Sequence, residues 1–245
     1  MAQKLTAKRL TGFKVLTFDT YGTLIDWDSG IFDALMPLLT RAQLTRDLAL
    51  EDFAAAESAQ QTATPGMLYS DLLSSIYLTL AEKWDAPASA GEAAAFGASV
   101  KDWPAFADSP AALAYLKRHY KMVTLTNCDR DSYKGSSRRL DFEWDAIYTA
   151  QDIGSYKPDP RNFDYLLAHL RADFGFEKGD ILHTAQSLFH DHVPATAHGI
   201  ATAWIDRRKD RDGHGATVPP SADYHLDFHF ADMAEMAAAL EQEIA

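Results

Sequence analysis

Residues 13–26 read Phe13-Lys14-Val15-Leu16-Thr17-Phe18-Asp19-Thr20-Tyr21-Gly22-Thr23-Leu24-Ile25-Asp26. Val15 to Phe18 are apolar or β-branched, and such a run reads as a buried strand. Asp19 stands where the strand ends, and Gly22 breaks the run just after it. Open α/β sheets bind ligands outside the carboxyl ends of their strands, so a carboxylate there is well placed for chemistry. A turn aspartate ahead of a glycine is equally common. The rest of the chain decides between the two readings.

Past Asp26 the spacing turns helical. Ile31, Leu35, Leu38 and Leu39 share a helix face, and residues 51–61 are Ala-rich and polar. Leu68, Leu72, Leu73, Ile76, Tyr77, Leu80 and Trp84 form an i, i+4 stripe. Residues 92–100 read as another short helix. No strand signal interrupts residues 29–100, so a helical cap inserted behind the first strand is expected there. An α/β rhythm then resumes near Trp103-Pro104. Ser109 is expected to cap a helix with Pro110 in its first turn. Strands are expected at 122–125, 146–149, 180–184 and 203–206, with an edge strand at 224–228. Helices are expected at 131–140, 162–170, 194–199 and 233–243. Residues 156–160 and 185–191 read as loops, and the charged, Gly/Pro-rich 207–222 as a surface loop. Strands alternating with helices imply a parallel sheet covered on both faces.

The 245 residues suffice for one large domain or a core with a smaller insert. Net charge is −12 with a pI near 5.1, which argues against nucleic acid or an anionic membrane as partner. A small anionic substrate remains compatible, because local charge can oppose the global sign. The single cysteine, Cys128, precludes an intrachain disulfide and fits a reducing compartment. The first ten residues lack an apolar signal core, and no run reaches the roughly 18 apolar residues of a membrane helix. A cytoplasmic protein is expected.

Polar groups follow the expected strands in series. They are Asp19, Thr126-Asn127, Lys157 in the Ser155-Tyr156-Lys157-Pro158-Asp159-Pro160 loop, and Asp191 at the end of Ala185-Gln186-Ser187-Leu188-Phe189-His190-Asp191. In this order they resemble the four motifs of the haloacid dehalogenase superfamily, over nearly the whole chain. The resemblance implies a doubly wound, Rossmann-like α/β core at 1–27 and 104–245 with a helical cap at 28–103. It also implies a nucleophilic Asp19 that forms a covalent intermediate. Lys157 would hold Asp19 ionised, Thr126 and Asn127 would orient the substrate, and Asp191 would position water.

Phosphatases of this superfamily carry a second aspartate two residues after the nucleophile, which protonates the leaving alkoxide. Tyr21 holds that position here, and a phenol of pKa about 10 is a poor acid for the task. A departing halide needs no proton. The Asp-x-Tyr-Gly-Thr form resembles the type II 2-haloacid dehalogenases. Gln186 likewise replaces the first acid of the fourth motif, leaving Asp19 and Asp191 as the obvious carboxylate ligands and weakening the case for magnesium. No cofactor is therefore expected, with magnesium reserved for a phosphatase alternative. A non-catalytic binding protein is the other rival, and a homodimer stays open.

The implied reaction displaces halide from C2 of a 2-halo carboxylate, then hydrolyses the Asp19 ester to a 2-hydroxy acid. Thr126, Ser187, Gln186, Thr23 and the backbone near Tyr21 are the expected substrate contacts. Relatives of this type use a cap arginine for the halide, but the corresponding helix here reads Glu51-Asp52-Phe53-Ala54-Ala55-Ala56-Glu57-Ser58-Ala59. Arg41 and Arg46 align poorly with that arginine and read as solvated charges. Leu188 and Phe163 also depart from the dehalogenase pattern. His183, His190 and His192 read as solvated, hydrogen-bonding surface groups of a loop rather than a metal site, with His190 the best candidate for activating water. Trp84 reads as core packing, and Trp27 and Trp103 as wedges at the cap boundaries. Asp129 and Asp131 are expected to cap the following helix.

Overall fold

The computed structural model describes residues 8–210, 213, 215–220 and 222–245. The amino-terminal stretch read for a signal core, and parts of the 207–222 loop, lie outside the described residues.

Strand β1 is Val15–Phe18 and is wholly buried, as its apolar run requires. Four helices follow: α1 Trp27–Ala42, α2 Arg46–Ala63, α3 Tyr69–Lys83 and α4 Ala90–Gly97. A 3-10 turn, Ala98–Asp102, closes this helical block. The core resumes with α5 Ser109–Leu116, β2 Lys121–Thr126, α6 Arg130–Leu140 and β3 Ala146–Thr149. Then come α7 Ala150–Ile153, α8 Pro160–Phe174, β4 Ile181–Ala185, α9 Val193–Ala197 and β5 Ala201–Ile205. The last elements are β6 Phe228–Phe230 and α10 Met233–Ile244. Among the described residues the strands form one six-stranded parallel sheet in the order β3-β2-β1-β4-β5-β6. The two central strands, β1 and β4, are buried throughout.

This order brings the carboxyl ends of β1, β2 and β4 side by side, with the loop after β3 beside them. Asp19, Asn127, Lys157 and Asp191 therefore gather at one sheet edge, although up to 172 positions separate them in sequence. The connections into and out of the helical block run together. Asp26 N–H donates to the Pro104 carbonyl at 2.8 Å, and Ile25 bridges Ala105.

Several local expectations need correction. Ser109 is the first helical residue rather than the cap, which is Asp108; its hydroxyl instead donates to the Leu24 carbonyl. Asp129 does cap α6, through Ser132 N–H, but Asp131 is exposed and pairs with Lys134. The edge strand lies at β6, downstream of the expected 224–228. Residues 188–192 form one π-helical turn rather than a loop. The 207–222 segment is not simply a surface loop: Ala216 is buried, and its N–H donates to Asp28.

Trp103 fastens the helical block to the core. It is 1% exposed, packs edge-on against Tyr21 and Tyr69, and fills the space beside Gly30. A Cβ at Gly30 would lie 2.3 Å from the Trp103 ring. Alanine normally stabilises a helix interior by up to about 1 kcal/mol over glycine. At this position the crowding is expected to prevail, and Gly30→Ala should cost roughly 1–3 kcal/mol. Urea denaturation measures it, and a gain in stability would remove the wedge role.

Candidate active site

Asp19 leaves the end of β1 and is 5% exposed. Thr23 Oγ1 donates to its Oδ2 at 2.6 Å and in turn accepts from Gln186 N–H at 2.9 Å. That second bond leaves the threonine proton for the carboxylate. Gly22, at φ +89°, allows the turn between Asp19 and Thr23, and its N–H is engaged by the Ile25 carbonyl.

Lys157 Nζ donates to Asp19 Oδ1 at 2.9 Å, to Asp191 Oδ1 at 2.7 Å and to the Leu125 carbonyl at 3.0 Å. It is 1% exposed. Asn127 holds the Lys157 backbone from both sides. Its Nδ2 donates to the Lys157 carbonyl at 3.0 Å, and its Oδ1 accepts from Lys157 N–H at 2.7 Å. Asp191 also pairs with His183 Nε2 at 2.9 Å, while His183 Nδ1 meets Thr17 Oγ1.

The two carboxylates differ in environment. Burial raises Asp19; the Lys157 charge opposes this and the Asp191 charge adds to it, so its pKa stands above the ordinary value. Burial also works against ionised Asp191, but the Lys157 charge and the His183 hydrogen bond more than offset it, holding its pKa far down. Burial would lower Lys157, yet its two carboxylate partners keep it raised and charged. Burial pushes His190 and His192 down to about 4, so both are neutral imidazoles at neutral pH. All three histidines around Asp191 are buried, against the expectation of solvated loop groups.

Above Asp19 lies a cavity of about 20 Å³, room for roughly one water. Asp19, Tyr21, Asn127, Lys157 and His190 line it from the core side, and Trp27, Glu57, Gln61 and Tyr69 from the helical block. Tyr21 offers its ring rather than an acid. Its hydroxyl donates to Cys128 Sγ at 3.2 Å and lies 2.9 Å from Ser136 Oγ, and neither partner lines the cavity.

Four expected substrate contacts sit elsewhere. Thr23 does not line the cavity, its hydroxyl being taken up by Asp19 and Gln186 N–H. Thr126 is buried at the end of β2 with no partner for its hydroxyl. Gln186 turns its side chain into a neighbouring cleft with Gly22, Asp26, Trp27 and Arg207. Ser187 caps the π-helical turn, accepting from His190 N–H and bonding His190 Nδ1 at 3.0 Å. If Ser187 gives its proton to Nδ1, the ring proton falls on Nε2, which is buried without a protein partner. Arg41 and Arg46 pair with Glu92 and Ser29, away from the cavity.

The donor set suits a divalent cation poorly. Lys157 Nζ already lies between the two carboxylates, and the third acid position is a glutamine facing another cleft. Among the described residues no three His, Cys, Asp or Glu side chains converge to hold a metal.

A sequence model of the haloacid dehalogenase-like hydrolases matches residues 13–183. No curated protein matches the chain. Several solved structures share the fold. A defluorinating L-2-haloacid dehalogenase is 21% identical with a TM-score of 0.75, covering 96% of this chain and 100% of that one. The L-2-haloacid dehalogenase of Xanthobacter autotrophicus with covalently bound chloropropionic acid is 14% identical, at TM-score 0.74, covering 95% and 100%. A HAD-hydrolase of Bacillus subtilis bound to magnesium is 16% identical, at TM-score 0.72, covering 96% and 100%.

Proposed function

The chain belongs to the haloacid dehalogenase-like hydrolases, and from that premise we propose that it hydrolyses small 2-haloalkanoic acids to 2-hydroxy acids through an ester on Asp19, without a metal. The observation that carries this reading is the Tyr21 hydroxyl, bonded to Cys128 and Ser136 instead of serving as an acid beside Asp19. A halide leaves without a proton, whereas an alkoxide requires one.

Charge points the same way. Asp19, Asp191 and Lys157 together carry −1, which opposes a phosphate dianion more than a carboxylate monoanion. Phosphoryl transfer relies on neutralising the equatorial oxygens, and this site has no spare cation for it among its described cavity residues.

In the proposed first step Asp19 attacks C2, the C–O bond forms and the carbon–halogen pair leaves as halide. His190 Nε2 is a donor suited to the substrate carboxylate. In the second step water attacks the ester carbonyl; one of its protons passes to the departing C2 oxygen, giving the 2-hydroxy acid, the other is released, and the Asp19 carboxylate is restored. Asp191 Oδ2, buried and without a protein partner, is a place to hold that water. The helical block, residues 28–103, acts as a cap that excludes bulk solvent. A cavity near 20 Å³ admits a substrate only when the cap moves.

The test assays 2-chloropropionate and a chromogenic phosphate ester, each with and without EDTA, on the wild type and Tyr21→Asp. Chloride release insensitive to EDTA is expected from the wild type, with no gain in the variant. Magnesium-dependent phosphate release without chloride would make the protein a phosphatase. No reaction with either class would favour a binding protein.

A further inference from the structure

In-line attack by Asp19 drives the leaving group away from the core, toward the helical block. Lys157 is the only cation among the described residues that line the cavity, and its ammonium is already shared by Asp19, Asp191 and the Leu125 carbonyl. The departing group meets Trp27, Gln61 and Glu57 instead. Glu57 belongs to α2 and is 2% exposed. Its Oε1 accepts the Tyr69 hydroxyl at 2.7 Å.

An ionised Glu57 would repel a leaving anion. A protonated Glu57 does the reverse: with Oε1 satisfied by Tyr69, its own O–H remains to donate. We propose that Glu57, as the carboxylic acid, receives the leaving group through this hydrogen bond, and that the bond biases the site toward fluoride among the halides. The inference rests on the dehalogenase reading above and names its substrate class, a small 2-fluoro carboxylate.

Fluoride is the poorest leaving group of the halides and the strongest hydrogen-bond acceptor, so it gains most from a neutral donor. The step balances: the Asp19 oxygen bonds to C2, the C–F pair departs with fluorine, and fluoride accepts the Glu57 hydrogen bond. Hydrolysis of the ester then yields the 2-hydroxy acid, fluoride and one proton.

The acid form is populated near neutrality. Burial raises Glu57 to about 7, with the Tyr69 bond opposing and the Asp19 charge adding. Tyr69 of α3, Asp19 after β1 and Tyr156 ahead of α8 are titratable groups around it, with Tyr21, Lys157 and His190 lining the rest of the cavity.

The experiment measures fluoride and bromide release from 2-fluoropropionate and 2-bromopropionate by the wild type, Glu57→Gln and Glu57→Ala, with intact-mass detection of the Asp19 ester. The fluoride-to-bromide ratio of kcat/KM should fall about 100-fold in Glu57→Ala. Wild-type fluoride release should decline as pH rises through about 7. That decline should vanish in the near-isosteric Glu57→Gln, which also guards against a folding defect. An unchanged ratio in both variants, with the ester still forming, would overturn the inference and leave the dehalogenase reading standing. Faster halide release in Glu57→Gln would overturn it too, because the carboxylate would then be repelling the product. No Asp19 ester from any haloacid would remove the dehalogenase reading, and this inference with it.

Discussion

Replacing Lys157 with methionine is expected to cost about 3–5 kcal/mol of stability and to reduce turnover to background. Methionine keeps most of the stem, so the loss reflects charge rather than a void. The ammonium lies 2.9 Å from Asp19 and 2.7 Å from Asp191, and removing it leaves two buried carboxylates facing each other. In the wild type the folded Lys157 pKa is raised. Its stabilisation is therefore present below the unfolded value of about 10.4 and is lost as pH rises through the folded one. Asp191 is lowered, so its share is present above about 3.9 and is lost as pH falls toward its folded value. The variant should then be most impaired near pH 8 and should recover on acidification, as one carboxylate takes up a proton. Urea denaturation at pH 8 and pH 5 reads the effect. A deficit below about 1 kcal/mol at pH 8 would mean that the Asp19–Lys157–Asp191 cluster does not stabilise the fold.

The sheet and the triad were legible because each rests on a local signal that topology then gathers. Val15 to Phe18 is a buried run, and Asp19, Asn127, Lys157 and Asp191 each follow a strand. Features without a local signal were harder to see. The histidines near Asp191 are polar by type, yet β4 and the π-helical turn bury them. Helix α7 has only four residues, too few for periodicity, although Thr149 and Asp152 spell its capping box. Gln186 and Ser187 lie beside the cavity in sequence, but backbone geometry turns them to other tasks.

Glu57 is the instructive omission. Leu50, Phe53 and Ala54 mark the buried face of α2, and Glu57 and Gln61 continue it at i+4 spacing. An acid on a buried stripe is the pattern that could have revealed it, since carboxylates are rarely buried without a partner.

Asp19→Asn should lower turnover by at least about 10⁴-fold while leaving the fold intact. The amide retains the shape and one acceptor oxygen for Lys157, but it is no nucleophile, so no ester can form. The pKa of Asp19 predicts the stability outcome. Burial raises it, meaning that folding disfavours its ionised form. A raised acid destabilises the fold above the folded pKa and ceases to do so as pH falls below the unfolded value of about 3.9. Asparagine removes that burden, so the variant's Tm should equal or exceed that of the wild type at pH 8, with the difference closing toward pH 4. Lys157 keeps Asp191 as its partner, and no buried charge is stranded. Halide release and thermal melts on the same preparation separate the two effects. Near-wild-type turnover would remove Asp19 from the mechanism. Lost turnover with a Tm lowered by several degrees would point to a structural role instead.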